Sequence, residues 1–316
     1  MSKRVFIDGA AGTTGIEIAD RLVGRAEFEV VRLDEDRRKD AGARREELNA
    51  ADFVILCLPD DAAREAVSMI ENDRVRVIDA SSAHRTARLW TYGFPELTGK
   101  TEVARARFVS NPGCYPTGFL ALVAPLVRAG ILPADWPYIC HAVSGYSGGG
   151  KGLIERFEQG DGGEIAWRGY GLAMGHKHLP EMKAHAGLAR EPLFCPAVVG
   201  AFRGMVVEVP LPLSAMDGAG EPELFRAALS DHYAGSELVI VEQETPGELL
   251  IERNAAPWDG MRLYVFASPD RSQARLVAML DNLGKGASGA AVQNLNLMAG
   301  LPETEGLRLP GAAAAQ

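Results

Sequence analysis

The chain has 316 residues, enough for two domains with real cores, and its 47% hydrophobic and 24% charged residues are ordinary globular values. A net charge of −9 with no basic stripe excludes a general nucleic-acid binder, but leaves room for a small anionic substrate held by a local Arg or Lys cluster. No apolar run reaches the roughly 18 residues of a membrane span, so no membrane partner is expected.

Cys57, Cys114, Cys140 and Cys195 show neither CxxC spacing nor a metal pattern, which suits a reducing compartment. Met1-Ser2-Lys3-Arg4 runs straight into a strand, leaving no room for a signal peptide, and a cytoplasmic protein is expected. Residues 4–8 form that strand. It breaks into Gly9-Ala10-Ala11-Gly12-Thr13-Thr14-Gly15, after which residues 16–22 continue with helical spacing. Strand, glycine turn and helix are the parts of a dinucleotide pyrophosphate site, where helix amides and dipole meet the anion. The spacing is GxxGxxG and not GxGxxG, so a glycine turn of some other α/β protein stays open.

Residues 28–33 read as the second strand. Beyond it, Asp34 and Glu35 could take a ribose hydroxyl and favour NAD, whereas Arg37, Arg38 and Lys39 could hold a 2′-phosphate and favour NADP. A solvated charged loop is the third account of the same residues. Residues 53–58 are a strand buried on both faces, Asp60 or Asp61 caps the next helix, and residues 75–80 form a fourth strand leading to Ser81, His84 and Arg85. Alternation of strand and helix through residue 120 describes a parallel, doubly wound, Rossmann-like sheet.

Residues 107–110 end a further strand, Pro112-Gly113 forces a turn, and residues 117–127 read as a helix ending near Gly130. Cys114 therefore lies on a stiff turn just ahead of a helix N-terminus, whose partial positive charge favours the thiolate. It is a candidate nucleophile; a small buried thiol is the alternative. After about residue 133, strand-like runs at 138–143, 197–202, 205–211, 238–241, 261–267 and 274–280 have few helices between them, so an α+β second domain with a mixed or antiparallel sheet is expected. Residues 144–151 resemble a mobile loop. Residues 281–298 begin a helix of small residues that should return to the first domain. The division expected is 1–116 with 283–316 for the dinucleotide domain, and 117–282 for a catalytic and oligomerisation domain. An Ala-rich tail follows Pro310.

His176-Lys177-His178-Leu179-Pro180-Glu181 is the densest charged cluster in the second half, with both histidines in the loop before a helix. Imidazole titrates near neutrality and suits a proton shuttle serving a thiol. The HxH spacing has no third ligand, so no metal is expected. Histidines bonded to loop backbone remain the plain alternative. His84, His141, His185 and His232 are isolated, and the last three are read as structural.

Asn111-Pro112-Gly113-Cys114-Tyr115-Pro116-Thr117, the glycine turn 9–15 and the 176–181 segment together resemble the N-acetyl-gamma-glutamyl-phosphate reductases. Residues 92–97 and the length resemble the shorter of that family's two sequence types. The resemblance implies a nucleophile at Cys114, a general base at His176, and substrate contacts from His178, Arg85 and Asn111. It also implies NADP as cofactor, met by Gly9, Gly12, Thr13, Thr14, Gly15, Arg37, Arg38 and the 282–289 segment with Asn282 and Gly284. Ser144, in the glycine-rich loop, is a candidate for gripping the substrate. The implied reaction is NADPH-dependent reduction of N-acetylglutamyl 5-phosphate to the semialdehyde through a cysteine thioester, a step of arginine biosynthesis. The expected partners are that small acyl phosphate and further copies of the chain, as dimer or tetramer. Rival readings are an aspartate-semialdehyde dehydrogenase or other acyl-phosphate reductase, a cofactor-binding sensor without catalysis, and a Cys–His hydrolase, which would leave the glycine turn without a purpose.

Overall fold

The computed structural model describes residues 2–159 and 164–309; the Ala-rich tail after Pro310 lies outside them. The chain divides into two compact units. One runs to Gly113 and resumes over Ala287–Leu307, and the other comprises Cys114–Gly286 with the chain from Arg308.

In the first unit, β1 (Lys3–Asp8), α1 (Thr13–Leu22), β2 (Phe28–Val31), α2 (Ala41–Ala50), β3 (Phe53–Leu56), α3 (Asp60–Ser68) and β4 (Arg76–Asp79) follow one another. Then come β5 (Thr91–Tyr92), the short α4 (Pro95–Thr98) and α5 (Lys100–Arg105), and β6 (Phe108–Ser110). The strands pair in the order β2-β1-β3-β4-β6-β5, every pair parallel, with Val5 opposite Phe53 and Ile78 opposite Val109. Successive strand residues face opposite sides, and both sides are covered. Val5, Ile7 and Ile55 pack with Ile18 and Leu22 on one face, while Phe6, Val54 and Leu56 pack with Leu48 and Ala63 on the other. Strands β2, β3 and β4 stop one or two residues short of the expected runs 28–33, 53–58 and 75–80, because the last residues leave the ladder at its carboxyl edge. The unit is completed by α10 (Gly289–Ala299), whose Ala291, Val292, Leu295 and Met298 join the first of these cores.

The second unit begins with α6 (Cys114–Arg128), followed by β7 (Ile139–Gly145), α7 (Lys151–Glu158), β8 (Trp167–Gly169), α8 (Leu179–Ala186), β9 (Leu193–Val199) and β10 (Met205–Leu211). It ends with α9 (Pro222–His232), β11 (Val239–Val241), β12 (Met261–Ala267) and β13 (Ala274–Leu280). Its sheet order is β11-β12-β13-β10-β7-β9-β8 and its pairing is mixed: β7 with β9 and β11 with β12 are parallel, the others antiparallel. Helix α6 is apolar nearly all round and lies against β10 and β13. A Cβ at Gly118 would come within 2.7 Å of Val207, so only glycine lets helix and sheet approach this closely.

Two expectations change here. The helix starts at Cys114 itself and not after it, since Pro116 falls in a first turn where backbone N–H groups have no intrahelical partner. Residues 144–151 are not a loose loop: they end β7, make a tight turn over Tyr146–Gly149 and enter α7, with Tyr146 stacked on Phe157.

Candidate active site

Within the second unit, Cys114 occupies the first position of α6, where the four leading amides and the helix dipole favour negative charge. Its back is supported by the segment Gly284–Ser288, which follows β13. A Cβ on Gly286 would lie 3.0 Å from that of Cys114. Asp281 shapes this segment: its carbonyl accepts from the amides of Gly284 and Gly286, and its carboxylate accepts from Leu283 N–H and from Arg203 at 2.9 Å.

The 176–181 segment reaches the same region. His176 packs edge-on against Tyr170, Phe194 and His178, with ring centroids 5.8, 5.0 and 4.7 Å apart. Burial first, and then the charge of Lys177, push the His176 pKa below its ordinary value, which keeps the ring neutral. The backbone N–H of His178 donates to His176 Nδ1 at 3.2 Å. That bond assigns the proton of the neutral ring to Nε2, so the resting imidazole is a donor at its outer nitrogen.

Two tyrosines join Cys114 to the histidines. Tyr115 is buried against Phe194 and His178 and donates its hydroxyl to the Ala197 carbonyl at 3.0 Å. The same hydroxyl is hydrogen-bonded with Tyr170 and Ser144. Burial first, with the proximity of Cys114 among the lesser causes, raises the pKa of Tyr115 and pushes that of Tyr170 up to about 12. Tyr170 is therefore a neutral hydroxyl close to the sulfur and in ring contact with His176. Sequence reading missed it. A lone tyrosine carries no motif, and its place is set by β8 pairing with β9 and by its amide on Pro196 O. Tyr115, inside the cysteine motif, offered a signal by position alone.

The remaining predicted residues of this unit divide in character. His178 is nearly buried at the start of α8. Ser144 Oγ has one proton and two acceptors within reach, the Gly145 carbonyl at 3.0 Å and the Tyr115 hydroxyl. Asn282 joins loops: its amide donates to Ser147 Oγ and its carbonyl accepts from Gly204 N–H. Gly284 is demanded by protein packing, since a Cβ there would stand 1.8 Å from the Trp258 carbonyl oxygen.

The first unit holds the other candidates, along the carboxyl edge of its parallel sheet. Gly9 has φ +86° and a Cβ there would meet Cys57 O at 2.3 Å, while one at Gly15 would meet Ala10 Cα at 2.7 Å; both glycines are fixed by the protein's own backbone. Gly12 differs. A Cβ there meets nothing closer than 3.5 Å, and its residue caps α1 without a side-chain bond to the helix amides. The first turn, with Thr13 and Thr14, thus offers amides to an anion and space for its close approach, which fits a dinucleotide pyrophosphate. Arg37 and Arg38 follow the end of β2, Arg38 ion-paired with Glu35 and Arg37 3.9 Å from Glu46. Arg85 is buried and clamps two strand ends, its guanidinium donating to Asn111 O at 3.0 Å and Ala80 O at 3.1 Å. Asn111 in turn donates to Ala287 O and accepts from Asn294. Among the described residues no cluster of three or more His, Cys, Asp or Glu could hold a metal, and no helix is long and apolar enough to cross a membrane.

Comparison with known proteins agrees with this arrangement. Residues 4–105 match the family described as semialdehyde dehydrogenase, NAD binding domain, and residues 114–282 match semialdehyde dehydrogenase, dimerisation domain. Aspartate semialdehyde dehydrogenase II from Vibrio cholerae shares the fold at TM-score 0.69 and 16% identity, over 94% of this chain and 98% of that one. The NADP-bound aspartate semialdehyde dehydrogenase from Candida albicans does so at TM-score 0.65 and 16% identity, over 94% and 98%. Closer in sequence is the N-acetyl-gamma-glutamyl-phosphate reductase of Trichormus variabilis, 50% identical over 96% of this chain and 99% of that protein. The N-acetyl-gamma-glutamyl-phosphate reductase 2 of Pseudomonas putida is 50% identical over 96% and 98%. A nicotinamide-binding α/β unit, a mixed-sheet unit opening on a cysteine at a helix N-terminus, and these identities place the chain in the N-acetyl-gamma-glutamyl-phosphate reductase family of semialdehyde dehydrogenases.

Proposed function

We propose that the chain reduces N-acetyl-L-glutamyl 5-phosphate to N-acetyl-L-glutamate 5-semialdehyde and phosphate, with NADPH as reductant, as a step of arginine biosynthesis. The observation that carries the reading is Cys114 at the head of α6, joined through Tyr170 to His176. The thiolate, favoured by the helix terminus, attacks the acyl carbonyl carbon; the carbon–oxygen bond to phosphate breaks and phosphate departs with the electron pair, leaving a thioester. The chemistry NADPH would supply when bound is the hydride that reduces the thioester carbonyl. His176, with its proton on Nε2, donates a hydrogen bond to the alkoxide oxygen of the thiohemiacetal and keeps that proton, and the Tyr170 hydroxyl steadies the same charge. Loss of the thiolate from the resulting thiohemiacetal releases the aldehyde and restores Cys114. Asn282 and Gly284 serve this site by holding the segment behind the cysteine. Ser144 and His178, both buried in the second unit, support this reading as walls around the substrate.

NADP, and not NAD, is the cofactor in this reading, with Arg37 and Arg38 meeting the 2′-phosphate next to the pyrophosphate turn at 9–15. The enzyme works as a homo-oligomer, built first as a dimer through the open face of the second unit's sheet, and in the cytoplasm, where its cysteines stay reduced. The test is a steady-state assay of NADP reduction with phosphate and N-acetylglutamate semialdehyde, against aspartate semialdehyde as rival substrate. Cys114→Ser is expected to lose turnover by about a thousandfold or more while still binding NADP. Wild-type rates in that variant, or a preference for aspartate semialdehyde, end the proposal.

A further inference from the structure

Arg168, in the short edge strand β8, is a cation that the reaction above does not use. Residues paired across neighbouring strands point to the same side of a sheet. Arg168, opposite Val198 of β9, therefore shares a face with Phe194, whose ring packs against Tyr115 and His176. Trp167 lies over Gly169 on the other face, leaving this one to Arg168 and Tyr170. The Arg168 guanidinium carbon stands 4.8 Å from the centre of the Tyr170 ring, and its charge acts on the Tyr170 hydroxyl close to Cys114. Arg168 is half-buried, yet among the described residues its side chain makes no hydrogen bond and no ion pair. Arg203, by contrast, is tied to Asp281. An aromatic face attracts a guanidinium without occupying its N–H edge, so that edge stays open to a planar anion.

We propose that Arg168 binds the α-carboxylate of the acyl substrate, with the Tyr170 ring as the spacer between that carboxylate and the reacting carbon. The inference deepens the function proposed above and rests on it. The substrate of that reaction carries its phosphate on the carbon that sulfur attacks, so the phosphate lies beside Cys114. Its α-carboxylate is at the other end of the carbon chain. The guanidinium stands over the ring of Tyr170 while the hydroxyl of the same residue serves the reacting centre, a separation that suits the far end of the substrate. Guanidinium and carboxylate join through parallel charge-assisted hydrogen bonds, which fix the direction in which the substrate lies across the site.

The α-amide of N-acetylglutamate semialdehyde keeps the aldehyde and loses the charge. In kcat/KM, wild type is expected to favour the acid over this amide by about tenfold or more, and Arg168→Met to cut that preference below about threefold. Arg168→Lys keeps the charge without the fork and should retain part of the preference. An equal loss on acid and amide in Arg168→Met would make Arg168 a support for Tyr170 alone and overturn the proposal. A rise in KM for inorganic phosphate with the preference kept would assign the anion to phosphate and overturn it as well, as would a wild type that does not distinguish acid from amide. Binding without turnover separates this inference from the reaction itself. Calorimetry on the full-length protein, with N-acetyl-L-glutamate and its α-amide as probes, should show the acid bound more tightly by wild type and the two bound alike by Arg168→Met. Should wild type turn over no semialdehyde, the reaction reading falls and this binding difference decides the carboxylate site: its presence establishes the site, and its absence rejects it.

Discussion

His176 lies beside Lys177, and the two causes that depress its pKa can be separated. Burial belongs to the ring's place among Tyr170, Phe194 and His178, whereas the charge belongs to one removable side chain. Lys177→Met keeps the first and deletes the second, so the pKa rises part of the way back to its ordinary value near about 6.5. If neutral His176 is the working form, the acidic limb of the kcat–pH profile moves to higher pH in the variant; an unmoved limb removes His176 from the chemistry. The sign for stability follows from proton counting. Between the lowered folded value and the ordinary one, the unfolded chain binds more protons, so stability at this residue is complete above that window and declines as pH falls through it. Cys114 and the 176–181 cluster were legible as candidates because motif and residue type announce their chemistry. Tyr170 was not, because its role exists only through contacts with Cys114 and His176, which no local spacing encodes.

Strands of the parallel sheet were readable because burial on both faces writes continuous apolar runs such as Phe53–Leu56. Strand β8 was not: Trp167–Gly169 is three residues long, has no alternation to count and exists by pairing with β9. The segment between β13 and α10 was read as a helix of small residues placed for a cofactor. Its glycines answer to protein neighbours as well, Gly284 to the Trp258 carbonyl and Gly286 to Cys114. Backbone offers no flexible end that could swing aside at Gly284, unlike a side-chain neighbour. Gly284→Ala is accordingly expected to destabilise the protein by about 1–3 kcal/mol and, by displacing Gly286, to lower kcat more than KM. Chemical denaturation with steady-state kinetics checks both. Unchanged stability would mean that the Trp258 turn yields freely. Arg203, tied to Asp281 at 2.9 Å, resists such yielding from the other side of the same turn.

The second unit's sheet buries one face on α6 and α9 and leaves a row on the other uncovered. Ile139 stands beside Leu193 and His141 beside Cys195 in the parallel register of β7 and β9, and all four are exposed in the single chain. Ile139 is 40% and Leu193 45% exposed, on the fifth and sixth strands of a seven-stranded sheet whose other face is core. Apolar residues adjacent in register on a wide flat surface are the material of an interface, and the unit matches a dimerisation domain. Polar groups flank the apolar pair: His141 lies 3.7 Å from Glu208, which also faces Arg275 at 3.8 Å. A carboxylate placed among the apolar pair would have to be desolvated on association without a partner to compensate it. Leu193→Glu is therefore expected to convert the oligomer to smaller species, by sedimentation velocity at micromolar concentration, while leaving the circular dichroism of the fold intact. An unaltered sedimentation coefficient would place the interface elsewhere. Because Phe194, next in the same strand, packs against both Tyr115 and His176, dissociation should also lower kcat, which ties assembly to the site through one β-strand.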